Sequence, residues 1–575
     1  MGRLSLLAYL GVWLCIGSAA NAQMMSLTPY GDVNSNLALG HNSLASIVDS
    51  GCGTCGYGNT GVGASSLALT TTGENNTASG YEALAGNTTG NYNTALGMSA
   101  LESSATGSYN TATGALALQQ NANGSNNTAT GYTALNSNST GSDNTATGGF
   151  ALQLNTTGAS NTASGYQALY SNSIGAANTA TGVNALYANT SGSQNTAAGS
   201  SALYSNTTGG DNTASGYQAL YTNTSGLGNT ATGSIALYYN TTGLENTATG
   251  STALAQNTTG NDNTATGDAA LGSTTTGNDN TASGAYALNL NTTGSYDTAS
   301  GFEALLNNTD GNYNNASGYQ ALFSNTVGNY NTASGSLALF SNTGGNYNNA
   351  SGYYALHNNS SGSQNSASGV QALYGNKTGN YNTASGTDAL FSNTTGSTNI
   401  GEGYKAGYNL TTGSNNIDIG NVGVAAEGNT IRIGSAQTAT YISGIAGTSV
   451  TGSAVVVSST GQLGVTVSSE RFKTAIAPMG SDTAKLAQLR PVSFKLKSDV
   501  TSTRQYGLIA EEVAKVYPEL VIRDASGRID GVRYDELAPM LLNIVQKQQR
   551  EIAEQRVEMS ELRADVRALQ GSRQN

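Results

Sequence analysis

Charge is scarce in this sequence. Only 9% of the 575 residues are charged, and no Lys or Arg occurs between Arg3 and Lys377. Nucleic-acid binding needs basic groups to neutralise phosphates, so this long stretch is not a nucleic-acid reader. Long apolar runs are also missing, apart from Leu4 to Ile16. That run follows Arg3 and precedes the small-x-small site Ala20-Asn21-Ala22, which predicts a secretory signal over residues 1–22, removed before Gln23. It is too short to span a bilayer, and no other stretch approaches 18 apolar residues. The mature chain is therefore expected outside the cell, secreted or at its surface, with no transmembrane segment. Only 3 cysteines and 2 histidines are present. With Cys15 in the signal, Cys52 and Cys55 form a CxxC that has no second Cys pair to complete a metal site. A local disulfide between them fits an exported protein. No metal or cofactor is expected.

What the chain has in abundance is a repeat. From Asn161 it reads NTASGYQALYSNSIGAA, then NTATGVNALYANTSGSQ, and the 17-residue register holds through 22 starts from Asn59 to Asn416. Every repeat has Gly at its fifth position and nearly all have Leu at the ninth. Such a short fixed period predicts a solenoid whose coils bury their apolar sides against one another. It is too short for helix pairs, and Asn, Gly and Thr are poor helix formers. NTA(S/T)G with the following Ala-Leu is expected to form a short strand. The N-T-T-G that follows is turn chemistry. At ~4.8 Å per coil the array is roughly 100 Å long. Ala163, Gly165 and Leu169 are the inward candidates of one repeat, and they predict a thin core that several chains side by side would thicken. A disordered chain with this Gly, Ser and Thr content would not need Leu every 17 residues. His357 occupies a place that holds Tyr in many repeats, and neither it nor His41 reads as a ligand.

The repeats resemble the heads of trimeric autotransporter adhesins, whose N-x-(A/V)-x-G coils form a three-chain β-roll. The coil here is longer than theirs. The resemblance implies a trimer and a surface or glycan ligand, still unidentified. Those heads precede a membrane-embedded barrel, whereas this sequence closes on the polar run Arg567–Asn575, so no such anchor is expected.

Residues 23–58 read as a cap with the CxxC loop, 59–420 as the array, and 421–467 as a β-rich neck. Composition then shifts abruptly, with 17 of the 21 Lys and Arg falling between Arg471 and Arg573. Residues 468–540 predict a small α+β unit: a helix over Asp482 to Leu489 capped by Ser481, a strand into helix over Tyr506 to Tyr517, and a turn at Asp524 to Gly527. A heptad follows over 541–570. Val545, Ile552, Met559 and Val566 take one core position, and Leu541, Gln548, Gln555, Leu562 and Leu569 the other. Glu551 with Arg556, and Glu558 with Arg563, then face each other between parallel helices. The alternative, one amphipathic helix lying on the domain, leaves this narrow stripe unexplained. The pattern gives a parallel homo-oligomer but not its number.

Three motifs in this region resemble the endosialidase-type intramolecular chaperone, the self-cleaving C-terminal domain of phage tail spikes and fibres. They are Ser468-Ser469-Glu470-Arg471-Phe472-Lys473, Gly507-Leu508-Ile509-Ala510-Glu511-Glu512-Val513 with Pro518-Glu519, and Tyr534-Asp535-Glu536-Leu537. The resemblance implies a nucleophile at Ser468, a base at Lys473 and scission between Val467 and Ser468. The family usually has Asp where Ser469 stands. From the residues alone, a Ser-rich linker with a solvated Lys is the plainer reading, because residues five apart lie on different faces of a helix or strand.

The resulting expectation is a mainly β chain, a β-solenoid or β-roll rod with a small α+β chaperone domain and a coiled-coil helix. It would be an exported, trimeric adhesin or tail-fibre-like protein whose only enzymology is one self-directed cut, with no external substrate. The alternative is an ice- or surface-binding solenoid with no adhesin role, in which Thr179-Ala180-Thr181 and its equivalents line up as an array.

Overall fold

The computed structural model describes residues 35–46, 56–443, 451–452, 454–458, 460–499, 501–524 and 526–573. The expected signal at 1–22 and the Cys52–Cys55 disulfide lie outside these residues. The chain divides into two compact units, 1–440 and 441–575.

The first unit is a parallel β-solenoid of 24 three-residue strands in one sheet, from β1 (Leu37–Leu39) to β24 (Ile431–Ile433). The 22 strands from Thr60–Val62 to Ile417–Ile419 start every 17 residues, one per coil. Pairing joins each strand to its equivalent in the next coil, as in Thr162↔Thr179, Ala163↔Ala180 and Ser164↔Thr181. The solenoid and its period are as the sequence predicts.

The strand is shorter than expected. It ends at the fourth residue, and the Ala-Leu pair lies in a turn. A coil of 17 residues must close around its own core, and four positive-φ residues bend it back. In one coil these are Gly165 (141°), Gln167 (55°), Leu169 (52°) and Ala177 (58°). Leu169 is a bulky residue in a conformation that costs an L-amino acid about 1–2 kcal/mol. It is held there by complete burial.

The core also differs from the expectation. Ala163, Ala168 and Leu169 are fully buried, whereas Gly165 is only half-buried. Gly165 is required by close approach instead, since a Cβ on it would collide with the backbone carbonyl of Gly182 in the next coil. Two buried asparagines fill the rest of the interior. Asn178 donates from its backbone N and its Nδ2 to Asn161 Oδ1 at 3.0 and 3.1 Å, and from Nδ2 to Gly192 O at 2.9 Å. Asn189 Nδ2 donates to Asn172 Oδ1 at 2.8 Å and to Gly192 O at 2.9 Å. A side-chain amide carries donors and an acceptor, so an asparagine can pass the ladder on to the next coil. Where Ser104 and Thr274 interrupt the second ladder, Asn87 Oδ1 and Asn257 Oδ1 have no hydrogen-bond partner among the described residues. The asparagine of N-T-T-G is thus a core residue as well as a turn residue. Each coil closes its core within one chain, and neighbouring chains are not needed to complete it.

The second unit begins with an antiparallel hairpin, β25 (Val455–Val457) with β26 (Leu463–Val465). A second pairs β27 (Val492–Phe494) with β28 (Gln505–Gly507), and a third β29 (Val521–Arg523) with β30 (Ile529–Val532). Helix α1 (Ala510–Val516) lies between the last two and stops before Pro518. Its Val513 packs with Tyr517, Leu520, Val521 and Val532 into a small core. The strand into helix near Tyr506 is present, but the helix expected over Asp482 to Leu489 is not. That segment forms turns and a single 3₁₀ turn at Leu486–Gln488. The backbone is held instead from outside, by Tyr517 Oη donating to Asp482 O at 3.0 Å and Asn543 Nδ2 donating to Thr483 Oγ1 at 2.7 Å. Helix α2 runs from Tyr534 to Ser572. Its stripe of Leu541, Val545, Ile552, Met559, Leu562, Val566 and Leu569 is exposed throughout.

Candidate functional site

Ser469 is extended (φ −65°, ψ 141°) and begins a 3₁₀ turn over Glu470–Phe472. Phe472 N donates to Ser469 O at 3.0 Å, and Lys473 N to Glu470 O at 2.9 Å. This turn reverses the chain between Ser468 and Lys473, so that Lys473 Nζ donates to Ser468 Oγ at 3.3 Å. Two residues that a helix or strand would hold apart meet across the bend. Arg471 lies 4.6 Å from the centre of the Phe472 ring, stacking the turn on itself. Both Ser468 and Lys473 are exposed, as is Val467, whose carbonyl precedes Ser468. A lysine serves as a base once desolvated, and in a single chain nothing covers this one.

The other two motif segments meet in the second unit. Leu508 N donates to Tyr534 Oη at 2.7 Å, and a Cβ on Gly507 would lie 2.5 Å from that oxygen. Arg490 and Glu512 pair at 2.6 Å, which holds the Glu512 carboxyl below its ordinary range. Neither the Tyr534 anchor nor this ion pair is signalled by the sequence, because the partners are 26 and 22 residues apart. Beside them lies an apolar groove of about 560 Å³ lined by Leu486, Leu489, Val492, Leu508, Leu537 and Leu541.

Elsewhere the candidates dissolve into structure. His357 stacks between Phe340 (5.2 Å) and Tyr374 (5.3 Å), and burial pushes its pKa down. It is one rung of an aromatic ladder. Among the described residues no group of three or more His, Cys, Asp or Glu is placed to hold a metal ion. No described helix is long and apolar enough to cross a membrane.

No curated protein matches the chain. Residues 468–522, which open on Ser468 and Lys473 and contain α1, follow the β-solenoid in the chain and match the family model described as chaperone of endosialidase.

Proposed function

We propose that the protein is an exported fibre of the adhesin or tail-fibre type, in which the solenoid is the binding rod and the C-terminal segment aligns several copies before cutting itself away. The observation that carries this reading is the contact of Lys473 Nζ with Ser468 Oγ at the first residue of the chaperone match. Ser468 Oγ adds to the Val467 carbonyl carbon while Lys473 takes its proton. The Val467–Ser468 C–N bond breaks, Lys473 returns the proton to the departing amine, and water hydrolyses the remaining ester. The cut happens once per chain.

Assembly supplies what the single chain lacks. The exposed stripe of α2 is covered when parallel copies pair, and the same approach would desolvate Lys473. A trimer is the assembly the chaperone family implies. Such a domain suits this rod, because near-identical coils can stagger between chains by one repeat at little local cost. Removing the aligner afterwards leaves the assembled rod kinetically trapped. The export signal and the surface or glycan ligand of an adhesin belong to the same reading.

Intact-mass analysis of the secreted product tests it directly. The wild-type chain should end at Val467, Ser468→Ala should remain full-length, and Lys473→Ala should be cut far more slowly. Normal processing of Ser468→Ala would eliminate the assignment.

A further inference from the structure

The rod carries threonines of two kinds. Those that follow the second ladder asparagine are used by the fold. Thr207 Oγ1 donates to Thr224 O, Thr224 Oγ1 to Thr241 O and Thr241 Oγ1 to Thr258 O, each at 2.9 Å. The strand threonines are not used in this way. All 15 strands from Thr60–Val62 to Thr298–Ser300 begin with Thr. The third strand residue is Thr or Ser in every strand from Thr111–Thr113 to Thr383–Ser385 except Thr196–Ala198. In almost every coil both side chains point outward on either side of a buried Ala. From Thr60 to Ser368 none of these hydroxyls makes a hydrogen bond to another protein atom among the described residues.

Strand geometry turns these two columns into a lattice. Equivalent residues repeat at ~4.8 Å from coil to coil, and the two columns stand ~6.7 Å apart along each strand. Register does not drift, since every pair joins equivalent positions of successive coils, as in Thr230↔Thr247 and Thr247↔Thr264. A β-branched side chain in a strand has a restricted χ1, so rows of Thr present their methyls and hydroxyls in a repeated order. No charged residue interrupts the two columns between Thr60 and Ser385. No aromatic stands in them either. Aromatic rings are what stack on sugar faces, so a crystalline polysaccharide fits this face poorly.

We propose that the strand face of the solenoid binds ordered water and, through it, the surface of ice. A lattice of methyls and unused hydroxyls with two fixed repeats can hold water in an ice-like arrangement that a crystal face then continues. Each rank contributes little, and the length of the array makes the attachment persistent. This inference does not rest on the Ser468–Lys473 reading, because it uses only residues of the first unit.

The test uses the purified full chain, measuring the freezing gap in thermal hysteresis and the inhibition of ice recrystallisation. The wild type should show both. Thr230→Lys with Thr247→Lys, at the centre of the array, should reduce both severalfold. Asp262→Lys adds the same charge at an exposed turn position and should leave both unchanged. If the lysine variant unfolds by circular dichroism, Thr230→Val with Thr247→Val keeps the β-branched shape while deleting two hydroxyls, and should also lower the activity. A wild type with no hysteresis and no recrystallisation inhibition overturns the proposal, as do folded strand-face variants with wild-type activity. Retention on crystalline cellulose or chitin without any effect on ice would assign the face to polysaccharide and overturn it equally.

Discussion

Two adjacent glycines offer a sharp test of how the coils are packed. Gly148 has φ of +130°, and a Cβ on it would stand 2.5 Å from the carbonyl oxygen of Gly165 and 2.7 Å from its carbon. Those atoms are backbone, so no side-chain rotation relieves the collision. Gly149 has no positive φ, and the nearest atom to its added Cβ is Tyr166 Cδ2 at 3.7 Å. Neighbouring coils hold Tyr132 and Tyr166 at that place. For Gly148→Ala, the disallowed backbone costs about 1–3 kcal/mol and the overpacking about 1–3 more. The bonds from Gly148 N to Thr130 O and from Gly165 N to Thr147 O, both 2.8 Å, are strained as the coils separate. The sum is about 2–6 kcal/mol, or roughly 30-fold to 10⁴-fold in local opening. Gly149→Ala should instead stabilise by about 0.4–1 kcal/mol, through the lower entropy of the unfolded chain. Because a solenoid opens locally, the assay is native-state hydrogen exchange followed on peptides covering 127–182. Gly148→Ala should lose protection there and keep it in distant coils, while Gly149→Ala loses none. Equal loss in both variants would refute the packing described for the glycine column.

Three further outcomes follow from the same structure. Deleting Asn246–Asp262 removes one coil and should leave folded rod, whereas deleting about half of it should abolish folding by misplacing every later strand. Equal soluble yields would refute the solenoid. Asp297 replaces an asparagine in the first ladder, and burial pushes its carboxyl from 3.8 up to about 7, although Asn314 and Asn308 donate to it. The folded state then holds the proton more tightly, so this contribution is full below pH 3.8 and is lost as pH rises toward 7, on the order of 2–4 kcal/mol. Urea midpoints at pH 5 and pH 8 should therefore differ less in Asp297→Asn than in wild type, since only the neutral Asn280, Asn308 and Asn314 bond to the site. Ile552→Asp with Leu562→Asp should block self-association of α2, measured by light scattering, and should leave the chain uncut on gels. Full cleavage of a demonstrated monomer would show that Ser468 and Lys473 act within one chain.

Repetition made much of the rod legible without any structure. A fixed 17-residue period with Leu and small Ala in constant places has one economical solution, coils stacked in register, and the sequence carries that information locally. The chaperone motifs and the heptad were legible for the same reason, since each is written in residues close together in the chain. What escaped the sequence was decided between coils or between distant segments. Asn172 reads as a turn residue, and only the neighbouring coil shows that its amide is a rung of a buried ladder. Gly165 reads as a core position, but its requirement comes from the carbonyl of Gly182. No propensity would place Leu169 at φ 52°, because burial in the closed coil overrides the intrinsic preference. The segment Asp482 to Leu489 has a helix's cap and length, yet Tyr517 and Asn543 hold it as turns. Motif resemblance points to Ser468 and Lys473, but their meeting depends on a single 3₁₀ turn held by the bonds from Phe472 N to Ser469 O and from Lys473 N to Glu470 O. Local sequence sets which conformations are cheap, and the contacts made when the coil closes or the domain packs decide which of them is kept.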